Sequence, residues 1–526
     1  MVRHQYLKIH VLLALLVSVS AASPCAANQD NGPGTQSALT HTSRASKYLA
    51  SKDFGQARAE LKSAIRIDPT YSEAYEMLGE VELESGNATG AISAFSQAVE
   101  LQPKSFSSHY GLAMAFLRNK DVKEGLRELR AAVSLRPNDV NANYNLGVLL
   151  LDQNQPAEAI EHLRKAQTTS ENRPDVAYNL VRAELAANRL EEAREEASKA
   201  AKSLESDSNW QAATGQLFLE HHLPGDAIPY LSRAHALQPD STETQRRLAA
   251  AYLESNQPEP AIALIKEPRE AGDYYLLAGA NYLLREYEVA AKNAATAVRM
   301  DAGQPQYLLL AARIEQHLGQ YDTALSLLQN AIRLAPKWAD PYYSAGVSLY
   351  CQKRYAEARK YLKESLDLQP NSARAVFLYA VSLVSEENIQ EGETYLRKAV
   401  ELNPGNAHFR YYLGEILMRQ NRLPDAEEVY RQAVRVDPKY APLHYQLGKI
   451  LLRSNHPDLA AQETEKAISL DPNLAEAYYQ LMQAYNRLGE KEKSARTAAI
   501  FAKLKKEDIS DKEKFYEGVK KELGLP

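Results

Sequence analysis

The chain has 526 residues, of which 45% are hydrophobic and 25% charged, and a formal net charge of -5 at pH 7. One hydrophobic core stops growing at roughly 250 to 300 residues, so a chain this long divides into domains or into a repeating array. The small net charge excludes the polyelectrolyte signature of a nucleic-acid binder, and two cysteines exclude a disulfide-stapled scaffold.

Arg3 and Lys8 precede an apolar stretch over residues 9–19, followed by small residues from Ser20 to Ala27. This order reads as a secretory signal peptide over residues 1–27, because an apolar run of about eleven residues is short against the ~20 that span a bilayer. Cleavage after Ala22 or after Ala27 satisfies the small-x-small rule equally well. Cys25 offers a second outcome, lipidation of its thiol, but Pro24 departs from the small residue usual before such a cysteine. A cleaved product is expected, periplasmic or secreted, with no membrane span in the mature chain. Cys351 is then a lone thiol, and the array has to be held by packing. Residues 28–37, with Gly32, Pro33 and Gly34, read as a flexible leader.

From Ala38 onward the chain repeats. Pro69, Pro103 and Pro137, and again Pro336, Pro370, Pro404, Pro438 and Pro472, are spaced 34 residues apart, with Pro239 on the same beat. The unit is plain in residues 72–105. Tyr75, Leu78 and Gly79 fall on a first helix, Ala91, Phe95 and Ala98 on a second, and Pro103 closes the unit. Proline ends the second helix because it lacks an amide proton and clashes with the preceding turn. Ser85-Gly86-Asn87 and Leu488-Gly489-Glu490 supply the chain reversals between helices. Stepping through the chain from Ala38, the twentieth position of every unit is small, from Ala57 and Ala91 through Gly392 and Ala426 to Ser494. The eighth is looser, with Gly79, Gly147, Gly215, Gly346, Gly414 and Gly448 beside alanines, and with Val181 and Met482 as departures.

This pattern resembles the tetratricopeptide repeat, a 34-residue helix-turn-helix. The resemblance implies an all-α fold, a right-handed superhelical solenoid of about fourteen units over residues 38–508. One unit is short. Residues 242–270 give 29 residues for 34, with Pro258 and Pro260 at the start of the second helix and Pro268 stopping it after about two turns. A kink is expected there, separating an N-terminal lobe (38–270) from a C-terminal lobe (271–508). In residues 509–526, Phe515, Val519 and Leu523 recur at helical spacing among charges, which reads as a helix capping the last unit.

No His-Glu-x-x-His, Cys-x-x-Cys, phosphate-binding loop or Gly-x-Ser-x-Gly motif occurs, and the repeats leave no room for a catalytic domain. The chain is therefore read as a non-enzyme with no catalytic residues, cofactor or metal. His221-His222 lies in a turn, where consecutive residues seldom ligate a metal. Asn87-Ala88-Thr89 fits a glycosylation acceptor in an exposed turn.

The resemblance implies a groove lined by first helices, through positions 2, 5, 9, 12 and 13 of each unit. Position 5 is aromatic in an unbroken C-terminal run, Tyr343, Phe377, Tyr411, Tyr445 and Tyr479, and tyrosine offers a flat apolar face with a polar tip. Asn145 and Asn179 share position 6 in adjacent units, a spacing suited to hydrogen-bonding an extended peptide backbone. Arg419, Arg453 and Arg487 share position 13 and form a basic stripe. The lysine-asparagine clamp with which some family members hold a carboxylate is not reproduced in adjacent units. The expectation is a protein- or peptide-binding scaffold or assembly factor of the cell envelope. Two alternatives stand beside it, an accessory of polysaccharide synthesis or export and a substrate-presenting subunit of a separately encoded enzyme. Nucleic acid is not an expected partner.

Overall fold

The computed structural model describes residues 33–168, 173–504 and 511–525, and the regular elements among them are all helices. The signal-peptide reading, residues 28–32 of the leader and the Cys25 question lie outside the described residues. Residues 33–37, read as leader, instead open the first helix, Pro33–Ala50. Proline suits a first helical turn, where its missing amide proton has no partner to lose.

Each unit pairs a first helix of about 13 residues with a second of about 14, as in Ser72–Glu84 and Ala88–Leu101. A left-handed residue joins the two at the fifteenth position of every unit. It steps by 34 from Lys52 to Gly489, with one step of 29 from Asn256 to Arg285. Only three of these positions are glycine, and five are asparagine, whose short polar side chain tolerates φ > 0. His222 is one of them, so the histidine pair belongs to turn geometry. Among the described residues no cluster of three or more metal-ligating side chains exists.

The small positions permit close helix crossing. A Cβ on Gly79 would stand 2.7 Å from the Phe95 ring, and one on Gly414 2.5 Å from Tyr430. Ala57, Ala91 and Ala426 are fully buried. Polar contacts recur at fixed offsets. Within a unit, the residue at position 4 meets the residue at position 23, as in His109 Nδ1 with Glu128 Oε2 (2.7 Å) and His444 Nδ1 with Glu463 Oε2 (2.7 Å). Between units an offset of 35 recurs, as in Asn145 Nδ2 donating to the Tyr110 hydroxyl at 2.8 Å and Tyr282 bonded to His317 at 2.9 Å.

The chain forms two compact units, one ending at Leu217 and the other beginning at Phe218. The expected boundary at residue 270 therefore falls inside the second unit. The shortened helix is present, Pro258–Leu264, seven residues. Other contacts replace its missing turns. Arg246 reaches past it to Asp273 (2.7 Å) and Glu270 (2.9 Å), and the backbone amides of Arg269 and Glu270 donate to Asp273 at 2.8 and 2.9 Å. Despite its burial, Asp273 is held below the usual carboxylate range by Arg246 and these amides. Ala249, Ala261, Ile265 and Leu276 close the apolar contact.

The terminal helix, Asp511–Glu522, corrects a second expectation. It does not lie on the last repeat helices but packs into the core formed by residues 347–450. Its apolar stripe of Phe515, Tyr516 and Val519 is buried there.

Candidate functional site

The first helices of three consecutive units, Ala339–Cys351, Ala373–Ser385 and Ala407–Arg419, build the face that the terminal helix covers. These helices are rich in apolar residues all round, because one side meets the second helices and the other meets the terminal helix. The terminal helix runs antiparallel along Ala407–Arg419. Phe515 sits edge-on to Tyr412 (5.3 Å between ring centroids) beneath the Arg419 guanidinium at 4.8 Å. Tyr516 stacks on Tyr350 at 5.9 Å, donates to the Cys351 carbonyl at 2.5 Å and lies under the Lys353 ammonium at 4.6 Å. One turn on, a Cβ at Gly518 would stand 2.8 Å from the Tyr412 hydroxyl oxygen, so the tyrosine tip meets the terminal helix where glycine occurs. At the far end the Glu522 carboxylate meets His408 Nδ1 at 3.0 Å and accepts from Asn406 Nδ2 at 3.4 Å. It thereby reaches the amino end of Ala407–Arg419, where a helix dipole favours an anion.

The expected aromatic run divides. Phe377 is 2% exposed and stacks on Phe409 at 4.8 Å, so it is core. Tyr343 and Tyr411 pack half-buried against the same core. Burial pushes the Tyr343 hydroxyl up to about 12, and Tyr411 is raised by burial and by Glu415. Tyr411 also stands edge-on to Tyr412 and to Tyr440, at 5.3 and 5.8 Å. Tyr445 carries the Lys449 ammonium at 5.9 Å, and Tyr479 is 45% exposed beside Phe501. The arginine stripe divides as well. Arg419 holds the terminal helix, Arg453 is exposed, and Arg487 donates back to the Leu452 carbonyl of the preceding unit.

Asn145 and Asn179 do not form a free amide ladder. Each donates to the tyrosine hydroxyl 35 residues earlier, Asn145 to Tyr110 and Asn179 to Tyr144 (3.3 Å), and Asn179 also to the Asp175 carbonyl at 2.9 Å. Burial raises the Tyr110 hydroxyl to about 12. These amides tie one unit to the next.

Sequence reasoning missed Tyr350, Tyr412, Asn406 and His408. Tyr350 sits at position 12 and His408 at position 2, both among the expected groove positions, while a search for runs of one residue type passes over each. The Cys351 thiol is buried and pushed up to about 11 by that burial, far from thiolate reactivity at neutral pH.

Stacked helical hairpins with a helix held on their first-helix face define an all-helical repeat array. Tetratricopeptide repeat family models match residues 48–115, 150–217 and 218–273, residues 110–177 and 379–441, residues 305–371 and residues 441–474. The chain belongs to the tetratricopeptide repeat family, whose fold is a scaffold for protein–protein interaction and assembly and is typically non-catalytic. It is similar to human Superkiller complex protein 3, 39% identical over 66 residues, a stretch spanning 12% of this chain and 4% of that protein. Among solved structures, the APC/C hetero-tetramer Cut9-Hcn1 is similar at 16% identity and TM-score 0.41, over 85% of this chain and 98% of that one. Naa15/Naa10 bound to HypK-THB is similar at 14% identity and TM-score 0.37, over 89% and 75%. YrrB, described as a tetratricopeptide protein with an unusual peptide-binding site, is similar at 22% identity and TM-score 0.31, over 36% and 97%.

Proposed function

We propose that this chain is an exported scaffold or assembly factor of the cell envelope that binds other proteins through the first-helix face of its second unit. The observation that carries the reading is that this face already holds a polypeptide helix by aromatic, cation-π and carboxylate contacts. Export rests on the basic, apolar and small-residue order of residues 1–27. No described helix is long and apolar enough to cross a membrane. Beyond the covered stretch, Tyr479 and Arg453 extend the face with exposed side chains.

The test places a photo-crosslinking residue at Tyr479 or Arg453 in the full chain, in its native cell, with Lys363 on a second helix as the control. The reading expects a discrete set of polypeptides joined at the first two sites and not at the third. Crosslinks to anionic polysaccharide would favour the export-machinery alternative. Equal, diffuse labelling at all three sites would remove the proposal.

A further inference from the structure

We propose that the face built by Ala339–Cys351, Ala373–Ser385 and Ala407–Arg419 is a receptor for a partner's amphipathic helix, and that the chain's own terminal helix occupies it as a competing ligand. The proposal rests on the scaffold reading and specifies the ligand.

The terminal helix is a template for what the face accepts. It presents two adjacent aromatics, Phe515 and Tyr516, then Gly518 at the point of closest approach, Val519 one turn on from the aromatics, and a carboxylate at its carboxyl end, Glu522. Val519 is buried in the apolar core, and the other features each have a counterpart on the face. Tyr412 and Tyr350 receive the aromatic rings, and Arg419 and Lys353 cover them with cations. A Cβ at residue 518 would stand 2.8 Å from the Tyr412 hydroxyl, so a side chain there displaces that ring or the helix. His408 and Asn406 receive the acid. A partner helix fits when it repeats this order: aromatic-aromatic, small, aliphatic, then Asp or Glu about seven residues after the first aromatic. This is recognition of a helix in a groove, in which i, i+4 and i+7 side chains anchor.

Occupation from within the chain sets a threshold. A ligand that needs the empty face binds with an affinity reduced by the fraction of molecules in which the face is empty. A partner matching the template therefore displaces the terminal helix, and a segment lacking the aromatic pair does not. The face is joined to its resident mainly by ring stacking and cation-π contacts, with one carboxylate contact, so the competition depends only weakly on salt.

The experiment titrates a fluorescent peptide of residues 511–526, with a scrambled peptide as control, into the full chain and into two full-chain variants. One is Phe515→Asp with Val519→Asp, which cannot bury the resident stripe. The other is Gly518→Val, which pries the helix off without adding charge and covers the case in which the first variant fails to fold. The proposal expects saturable binding of the native peptide at least tenfold tighter to either variant than to the unaltered chain, and no tightening for the scrambled peptide. Adding Arg419→Glu to the Gly518→Val background should reverse the gain. Equal weak binding to all forms, or equal binding of both peptides, overturns the receptor. A full chain that is dimeric and becomes monomeric in both variants would make the external ligand a second copy and overturn the heterologous partner. The crosslinking test can fail through absence of a cellular partner while this titration succeeds, so the two failures are distinguishable.

Discussion

The two compact units use the same repeat differently on their first-helix faces. In the unit ending at Leu217, tyrosine hydroxyls on that face are bonded to asparagines of the next repeat, Tyr110 to Asn145 and Tyr144 to Asn179. In the unit beginning at Phe218, the corresponding face around Tyr350 and Tyr412 is apolar and covered by a helix from the same chain. One repeat register thus yields a face tied to itself and a face built to hold another segment. At position 6 an amide bonds backward in Asn145 and Asn179, and again in Gln480, which donates to the Tyr445 carbonyl at 3.2 Å, whereas in the covered stretch Tyr412 faces the resident helix.

The largest way to break the contrast is Tyr412→Ala, which removes a buried ring from the centre of the covered face. Large aromatic truncations of this kind cost about 3 to 5 kcal/mol. Hydrogen exchange should show the loss in residues 339–525 with the unit ending at Leu217 unchanged, and uniform loss across both units would contradict the separation. Next is Gly414→Ala, where the added Cβ meets the fully buried Tyr430 ring. Overpacking of this sort costs about 1 to 3 kcal/mol, read as a lower denaturation midpoint for the second unit. Tyr144→Phe leaves the ring and removes the hydroxyl that Asn179 uses, which should cost the first unit about 1 kcal/mol. No change on that substitution would mean that the inter-unit amide bonds do not contribute to stability. Smallest is Lys120→Gly, which relieves a left-handed lysine at φ 69 and should stabilise its hairpin by up to about 1 kcal/mol.

Acidity sharpens the comparison from the other side. Burial, helped by Glu76 and Glu84, pushes the Glu80 carboxyl up to about 7. That lies above the ordinary glutamate value of about 4.3, so the folded chain holds the proton more tightly than the unfolded one. The stability of the helix Ser72–Glu84 should therefore rise as pH falls from about 8 to 5, and level off below about 4.3. Glu82, held low by Arg58, loses its contribution only when pH falls below the ordinary glutamate range. Denaturation at several pH values checks the trend, and Glu80→Gln should flatten it.

The sequence made the repeat legible because helix packing leaves a periodic trace. Ala91, Ala426 and Gly414 have to be small wherever two helices cross, and Pro103 or Pro404 has to stop a helix wherever a unit ends. The short helix was legible for the same reason, from Pro258, Pro260 and Pro268. The reversals were legible at Gly86 and Gly489, but their common left-handed position was not, because Lys, Asn, His, Arg and Glu fill it as well as Gly, the constraint being on φ and not on side-chain chemistry. The terminal helix was half legible. The spacing of Phe515 and Val519 gave its apolar stripe, but the choice between the last repeat and the face near Tyr412 depends on contacts more than 100 residues away, which leave no period. The amides of Asn145 and Asn179 were legible as matched rows, but their bonds to a tyrosine one repeat earlier were not, because the spacing is equally compatible with a peptide and with that tyrosine.

The central claim is that the terminal helix lies over the first-helix face of the second unit, and Cys351 reports on it directly. Its thiol is 6% exposed, and its carbonyl accepts the Tyr516 hydroxyl. The rate of Cys351 alkylation should be measured in the full chain carrying Cys25→Ser, with and without Phe515→Asp and Val519→Asp. The account predicts slow labelling in the parent and labelling at least tenfold faster in the variant, with the helical signal of the array retained. Equal rates in the two forms would place the helix elsewhere.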